Sequence, residues 1–144
     1  MNTDVFLDTN LILDVVLERP GFESTMEILQ KGTEGKIKLY TSFLSMANIA
    51  YVLRKNYNGV MIPTLKQISM LLEVLPMDSK QLNQAMLLAG PDYEDVLQAV
   101  CATAGGCTVL LTRNPKHFNI KSGLLPKWVA PEVYTPEEFL SLIK

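Results

Sequence analysis

The 144-residue sequence has few of the residues that build zinc sites and disulfides: two cysteines, Cys101 and Cys107, and one histidine, His117. The cysteine spacing matches no zinc or redox motif, and a single histidine cannot complete a zinc site. We therefore expect both cysteines to be reduced, small apolar side chains of the core. A chain of this length buries about 68–70% of its unfolded surface, so it needs no disulfide or metal to fold.

Long hydrophobic runs and a surplus of one charge are also missing. No apolar segment approaches the roughly 20 residues that span a bilayer. The segment Met1 to Asp4 has neither the basic flank nor the apolar stretch of a signal peptide. Thirteen basic and fifteen acidic side chains give a net charge of −2, which argues against a general nucleic-acid coat protein but not against an enzyme that contacts nucleic acid briefly. We expect a soluble, cytoplasmic protein without membrane contact, folded as one domain over residues 1–144.

Apolar runs and helical patterns alternate along the chain. Strands are predicted at 5–7, 37–40 and 108–112, with a further short strand at 74–77. Helices are predicted at 11–17, 22–30, 43–55, 63–72, 79–89, 92–104 and 136–143, with a turn at Asn58-Gly59 and a capping box at 135–138. Apolar strands joined by helices form a parallel sheet that is covered on both faces, which indicates the α/β class.

Polar residues follow two of the predicted strands. Asp8 comes directly after strand 5–7, and Thr112-Arg113-Asn114 ends the strand 108–112. In an open parallel sheet, ligands bind beyond the carboxyl ends of the strands. If these two strands are neighbours, Asp8 and Asn114 face one crevice.

A further polar group lies at the start of the helix 92–104. Asp92 and Asp95 are three residues apart and share a helical face, where the helix dipole favours carboxylates. Together with Asp8 they place three negative charges in one site, and such a cluster repels itself unless a cation lies between its members. Oxygen ligands without His or Cys suit Mg²⁺ or Mn²⁺. For any one of these aspartates alone, an ordinary helix cap is the simpler interpretation.

Other phosphate-binding classes lack their motifs in this sequence. There is no Gly-rich Walker loop and no Gly-x-Gly-x-x-Gly, which argues against a P-loop or dinucleotide-binding protein. Asn10 stands where an Asp-x-Asp phosphatase has its second aspartate. The second strand-end acid and the late strand-end Lys of a receiver domain are not visible either.

Three segments of the chain form a recognisable set: Phe6-Leu7-Asp8-Thr9-Asn10, Asp92-Tyr93-Glu94-Asp95-Val96-Leu97-Gln98-Ala99 and Leu111-Thr112-Arg113-Asn114-Pro115-Lys116-His117-Phe118. They resemble the signature blocks of the PIN domain family, and Tyr134 to Leu140 is similar to a common ending in one bacterial branch of it. The blocks occur in the right order and span nearly the whole chain. The resemblance implies a three-layer α/β/α, Rossmann-like domain with a central parallel sheet, metal-dependent ribonuclease activity and often the toxin role in a bacterial toxin–antitoxin pair.

The resemblance also implies roles for single residues. The family aspartates that match Asp8 and Asp95 ligate the metal ion, and a further acid often lies near Asp92. The residue matching Asn114 is often Asp and completes the site. Many members carry a Glu on the helix that here spans 43–55, and Asn48 is the best match for it.

This chain departs from the family pattern at Asn48, Asn114 and His117. Asn48 and Asn114 are neutral amides, which coordinate a cation through oxygen but bring no charge. His117 stands where the related branch usually has Asp, and a surface role there is the favoured interpretation. Fewer carboxylates imply weaker metal binding, with one ion or two left open. For Asn48, a hydrogen bond to a neighbouring group is an equally good interpretation.

The resulting hypothesis is an Mg²⁺- or Mn²⁺-dependent endoribonuclease that hydrolyses RNA phosphodiester bonds with a metal-activated water. Its predicted catalytic and metal-binding residues are Asp8, Asp92 and Asp95. Residues predicted to orient ligands, water or substrate are Thr9, Asn10, Asn48, Thr112, Arg113 and Asn114. For Arg113, a phosphate contact and a plain surface role both stay open.

Partners follow from the resemblance as well: an RNA substrate, an antitoxin protein that covers the active crevice, and a second copy in a homodimer. The alternative hypothesis is a PIN-like RNA- or protein-binding module with weak or no catalysis, which the neutral Asn48 and Asn114 motivate. Two apolar stripes are candidates for a partner groove, although such stripes usually face the core: Leu65, Ile68, Leu71 and Leu72, and Met46, Ile49 and Leu53.

Overall fold

The fold is built around a five-stranded sheet in a computed structural model that describes residues 3–56 and 59–143. The strands are β1 (Thr3–Leu7), β2 (Ile37–Ser42), β3 (Glu73–Leu75), β4 (Val109–Leu111) and β5 (Glu132–Tyr134). Their spatial order is β3-β2-β1-β4-β5, and each neighbouring pair is parallel. The predicted parallel sheet is confirmed, with β1 at its centre and β4 as its neighbour.

Helices connect the strands and cover the sheet. They are α1 (Thr9–Val16), α2 (Phe22–Thr33), α3 (Phe43–Asn56), α4 (Met61–Leu71), α5 (Ser79–Leu87), α6 (Tyr93–Ala104) and α7 (Pro136–Leu142), and Pro115–Phe118 forms a short 3-10 turn after β4. The predicted three-layer α/β/α architecture is confirmed.

The central strand β1 shows why both sheet faces are covered. Side chains alternate between the faces of a strand, so Val5 and Leu7 point to one side and Phe6 to the other. Val5 and Leu7 join the larger core cluster with α1, α2 and α3, whereas Phe6 joins a second cluster with α6. All three are fully buried. Each such side chain stabilises the fold by about 1.5–3 kcal/mol through removal from water, so β1 is held by layers on both sides.

Side chains cap three of the helices, and the capping box predicted at 135–138 is confirmed. Asp8 is the N-cap of α1, and its side chain accepts a hydrogen bond from the Thr9 backbone N–H. The Ser42 hydroxyl accepts from the Ser45 backbone N–H at the start of α3. Thr135 and Glu138 form the predicted reciprocal capping box of α7.

Several predicted boundaries were wrong. Strand β5 was not predicted, because a three-residue edge strand that is partly exposed carries no apolar run. Helix α4 begins before Pro63, which is tolerated in a first turn because a first-turn N–H needs no helical partner. Helix α5 ends at Leu87, since the Ala89 backbone pairs with Lys121 instead. Of the predicted turn, Asn58 lies outside the described residues and Gly59 has φ +90°.

The remaining structural strands and helices differ from their predictions by only a few residues at the ends. Strand β4 is shorter than 108–112, β3 is shifted toward Glu73, and α2 extends to Thr33. Within residues 3–56 and 59–143, no helix is both long enough and apolar enough to cross a bilayer.

Both cysteines are free and buried, as predicted. Burial raises the pKa of the Cys101 thiol to about 11 and that of Cys107 to about 12. The thiols are therefore protonated at neutral pH and serve as core side chains.

Candidate active site

Asp8 lies at the carboxyl end of the central strand, where the sheet meets the first turn of α1. Its side chain is buried and both carboxylate oxygens accept hydrogen bonds. Oδ1 accepts from the Thr9 backbone N–H over 2.9 Å, and Oδ2 accepts from the Thr112 hydroxyl over 3.0 Å. The backbone N–H of Asp8 donates to the Leu111 carbonyl, which continues the β1–β4 pairing to the sheet edge. The carboxylate is therefore fixed in orientation.

The polar residues that follow β4 lie beside Asp8, as expected if β1 and β4 are neighbouring strands. Thr112 is buried, and its hydroxyl also accepts a hydrogen bond of 3.3 Å from the Asn114 backbone N–H. Asn114 itself is exposed at the same edge of the sheet. Thr112 thus links the Asn114 turn directly to the Asp8 carboxylate.

Asp95 provides a second, partly buried carboxylate from the first turn of α6. Asp92 is the N-cap of this helix, and its Oδ1 accepts from the Asp95 backbone N–H over 3.1 Å. The Asp95 side chain is 19% exposed, and its Oδ2 lies 3.8 Å from Nδ1 of the exposed His117. The cap interpretation of Asp92 is confirmed, while its role toward a metal ion stays a prediction.

The electrostatics of the site show that these acids act on one another. The pKa of Asp95 is raised to about 6: burial is the largest cause, the charges of Asp8, Asp92 and Glu94 also raise it, and His117 lowers it. Burial also raises the pKa of Asp8, which the hydrogen bonds from Thr112 and Thr9 oppose. Two carboxylates from distant parts of the chain therefore share one negatively charged site.

Asn48 joins this group through the neighbouring Glu94. Its amide Nδ2 on α3 donates a hydrogen bond of 3.0 Å to Oε1 of Glu94 on α6. The Asn48 side chain thus hydrogen-bonds a carboxylate but does not supply one itself. Sequence reasoning gave no site role to Glu94, and the available signal was its place as a second acid in the first turn, next to Asp95.

A buried polar network beneath Asp8 was also missed. The Gln98 amide is 1% exposed and donates to the Thr9 hydroxyl over 3.1 Å and to the Ser45 hydroxyl over 2.8 Å. Its Oε1 accepts from the Ser42 hydroxyl over 2.5 Å, and the Thr9 and Ser45 hydroxyl oxygens are 2.7 Å apart. The signal in the sequence was a glutamine within an otherwise apolar stretch of α6, one turn after Asp95.

Arg113 points away from the Asp8 and Asp95 carboxylates. Its Nε lies 2.8 Å from Oδ2 of the buried Asp14 on α1, and its Nη2 donates to the Pro20 carbonyl. Arg19 lies further from Asp14, at 3.7 Å. Burial raises the pKa of Asp14, and Arg113 and Arg19 oppose that shift. Arg113 thus connects the end of β4 to α1 and to the turn between α1 and α2.

One predicted site residue remains, Asn10. Asn10 is exposed on the first turn of α1, next to the buried Thr9. Within the described residues, no group of three or more His, Cys, Asp or Glu side chains is arranged so that it could hold a metal ion. The Thr112 hydroxyl donates to Asp8, and the charges of Asp92 and Glu94 act on Asp95.

Comparisons with known proteins show which family this chain belongs with. Residues 4–116 match the model of the PIN domain family. The chain is 31% identical over 146 residues to Ribonuclease VapC1 of Aquifex aeolicus (strain VF5), covering 96% of this chain and 95% of that protein.

Two solved structures with lower sequence identity share the fold. The structure of VapBC-1 from nontypeable Haemophilus influenzae has 18% identity and a TM-score of 0.64, with 94% of this chain and 99% of that chain covered. A toxin-antitoxin complex from Klebsiella pneumoniae has 16% identity and a TM-score of 0.60, with 92% and 97% covered.

Proposed function

Because the chain belongs to the PIN domain family, we propose that it is a ribonuclease that hydrolyses RNA phosphodiester bonds, and that it is the toxin of a toxin–antitoxin pair. The observation that carries the proposal is the convergence of Asp8 and Asp95 at the carboxyl edge of the sheet, where each acid is partly or fully removed from water. The 31% identity to a ribonuclease over nearly the whole chain supports the same reaction.

We further propose that Mg²⁺ or Mn²⁺ binds between these acids. The donor set fits such an ion, because carboxylate and amide oxygens are the ligands that hard cations prefer. Asp8 and Asp95 would hold it, with Asp92 nearby and the neutral oxygens of Asn48 and Asn114 or water completing the shell. When bound, the ion lowers the pKa of a coordinated water and offsets charge on the phosphate.

The side chains of this site prepare it for a cation. The Thr9 N–H and the Thr112 hydroxyl both donate to Asp8 and favour its ionised form, so they oppose the effect of burial. With a pKa of about 6, Asp95 is ionised at neutral pH. Fixed hydrogen bonds also keep Asp8 from rotating away from the crevice, which spares the site reorganisation when ligand binds.

The test is cleavage of a labelled single-stranded RNA with Mg²⁺ or Mn²⁺. Asp95→Asn should abolish cleavage, and EDTA should abolish it in the wild type. The control is Asp78→Asn, which removes the charge of another aspartate at a helix start: Asp78 is the N-cap of α5, and its side chain accepts from the Gln81 N–H. Equal cutting by wild-type and Asp95→Asn proteins would contradict the proposal.

A second candidate function is a PIN-like module that binds RNA or protein with weak or no catalysis. Two observations favour it: no three-ligand group occurs among the described residues, and Asn48 is already bonded to Glu94. A folded protein that binds single-stranded RNA in a gel-shift assay but does not cut it with either metal ion would support this function over the nuclease.

We also propose an antitoxin protein as the physiological partner. The support is the likeness in fold to a toxin-antitoxin complex. A cavity of about 270 Å³ between α1, α2 and α4 includes Ile68 and Leu71 of one predicted stripe, whereas Ile49 and Leu53 of the other are buried in the core. Co-purification of the chain with the product of a neighbouring gene, and inhibition of RNA cleavage by it, would test this proposal.

A further inference from the structure

The Gln98 network connects the three elements that carry the candidate site. Thr9 directly follows Asp8 at the start of α1, and Ser45 lies one turn before Asn48 on α3. Gln98 lies one turn after Asp95 on α6. Each partner of the Gln98 amide therefore adjoins, or lies one helical turn from, a residue of the site.

Every polar atom of the Gln98 side chain has a partner. Its two amide hydrogens go to the Thr9 and Ser45 hydroxyls, and its oxygen accepts from Ser42. Buried polar groups destabilise a core unless they are satisfied, and a satisfied network rigidifies one arrangement of the elements it joins. Gln98 lies on α6 and bonds to residues of α1 and α3, so its amide helps to fix how these three helices are placed relative to one another.

The site needs such a device because its acids repel. Asp8 directly follows β1 and Asp95 lies in the first turn of α6, and two carboxylates that share one site repel each other. Repulsion of this kind favours a shift of α6 away from α1. The hydrogen bonds from Gln98 to Thr9 and Ser45 act in the opposite direction.

We infer that Gln98 is a positioning residue that holds the start of α6 against α1 and α3, and so sets the Asp8–Asp95 separation at which one divalent cation binds both. This inference rests on the proposed metal-dependent function and assigns to Gln98 no contact with metal or RNA. The residue acts through Thr9, whose backbone N–H donates to Asp8 Oδ1.

The test is calorimetric titration of the full chain with Mn²⁺, comparing wild type with Gln98→Met. Methionine has a similar length and no strong hydrogen-bonding group, so the change removes the network while keeping most of the packing. Loss of an outer hydrogen-bonding partner typically weakens metal binding by about 10–100-fold. We expect a loss of that size for Gln98→Met, together with a lower kcat for RNA and an unchanged KM.

The control is Ile28→Val, which changes a fully buried core side chain on α2 and leaves the network intact. It should bind Mn²⁺ like the wild type. Ser45→Ala is the second variant, since it removes one partner of Gln98 but keeps the Ser42 cap of α3, and it should weaken Mn²⁺ binding in the same direction.

The outcomes separate this inference from the proposed function. Wild-type Mn²⁺ affinity in Gln98→Met and Ser45→Ala, in a wild type that binds Mn²⁺ and cuts RNA, would overturn the positioning role alone. A loss of affinity in Ile28→Val equal to that in Gln98→Met would overturn it too, because the effect would then follow from stability. A wild type that neither binds Mn²⁺ nor cuts RNA would overturn both.

Discussion

The hydroxyl of Thr112 donates a hydrogen bond to Oδ2 of Asp8 over 3.0 Å and so ties the end of β4 to the end of β1. With the Thr9 N–H on Oδ1, this bond leaves Asp8 held at both oxygens. An ionised carboxylate has about four acceptor positions, so these two bonds still leave lone pairs for a cation. The geometry of the site therefore depends on a residue that is not itself an acid.

Thr112→Val should destabilise the protein, because a buried carboxylate loses a donor. Hydrogen bonds to charged groups contribute about 1.5–3 kcal/mol, and we expect a loss of that order in the free energy of unfolding. Urea unfolding at pH 7.5 measures it. Thr112→Ser keeps the hydroxyl and removes only the methyl group, so it should lose less; a Thr112→Val protein as stable as the wild type, or a larger loss in Thr112→Ser, would contradict the role of the hydrogen bond.

The metal-free protein should lose stability as pH rises from about 4 to about 6.5. Asp95 has a pKa of about 6 in the folded chain against an ordinary value of 3.8, so the folded state binds more protons in this window. Stability is then highest below the unfolded pKa and falls as pH rises through the folded one. The expected change from Asp95 is on the order of 1–3 kcal/mol, and the raised pKa of Asp8 acts in the same direction.

Urea unfolding in EDTA at several pH values measures this slope. Asp95→Asn should flatten it. An Asp95→Asn protein with the full wild-type slope would show that another group titrates in this window.

Arg113→Met should lower stability without changing the KM for RNA. Arg113 pairs with the buried Asp14, and its loss leaves that charge with the more distant Arg19. Because the Arg113 side chain is 42% exposed, we expect about 1–3 kcal/mol rather than the larger cost of breaking a fully buried pair. A raised KM with unchanged stability would instead establish the phosphate contact that the sequence left open.

Asn114→Asp should tighten Mn²⁺ binding. Asn114 lies at the sheet edge beside Thr112, and the change adds a carboxylate where the family pattern often has one. We expect about a tenfold gain, equivalent to about 1.4 kcal/mol, in a calorimetric titration. The control for added charge alone is Asn119→Asp, at another exposed asparagine after the 3-10 turn. Unchanged or weaker Mn²⁺ binding by Asn114→Asp would indicate that this position lies outside the coordination shell.

The sequence predicted most of the fold because its signals are local. Val5, Phe6 and Leu7 form an apolar run, which is typical of a strand that is buried on both faces. The caps at Asp8, Ser42 and Thr135 each bond to a backbone N–H within three positions along the chain. Strand β5 was missed because Glu132-Val133-Tyr134 is short and its pairing with β4 is a long-range contact.

The site was predictable only in part, for the same reason. Asp8 and the end of β4 could be placed together from strand ends, but the bond between Asn48 and Glu94 depends on how α3 meets α6. Likewise, Gln98 and Asp14 are polar residues of helices that are buried only because their partners come from other elements. No spacing in the sequence identifies those partners.

The central claim is that Asp8 and Asp95 together bind one divalent cation, and calorimetric titration of Mn²⁺ into Asp8→Asn, Asp95→Asn and Asp78→Asn proteins tests it most directly. We expect each of the first two variants to lose most of the Mn²⁺ affinity of the wild type and the third to retain it. Wild-type affinity in either Asp8→Asn or Asp95→Asn, with the protein folded, would show that the two acids do not bind one cation together.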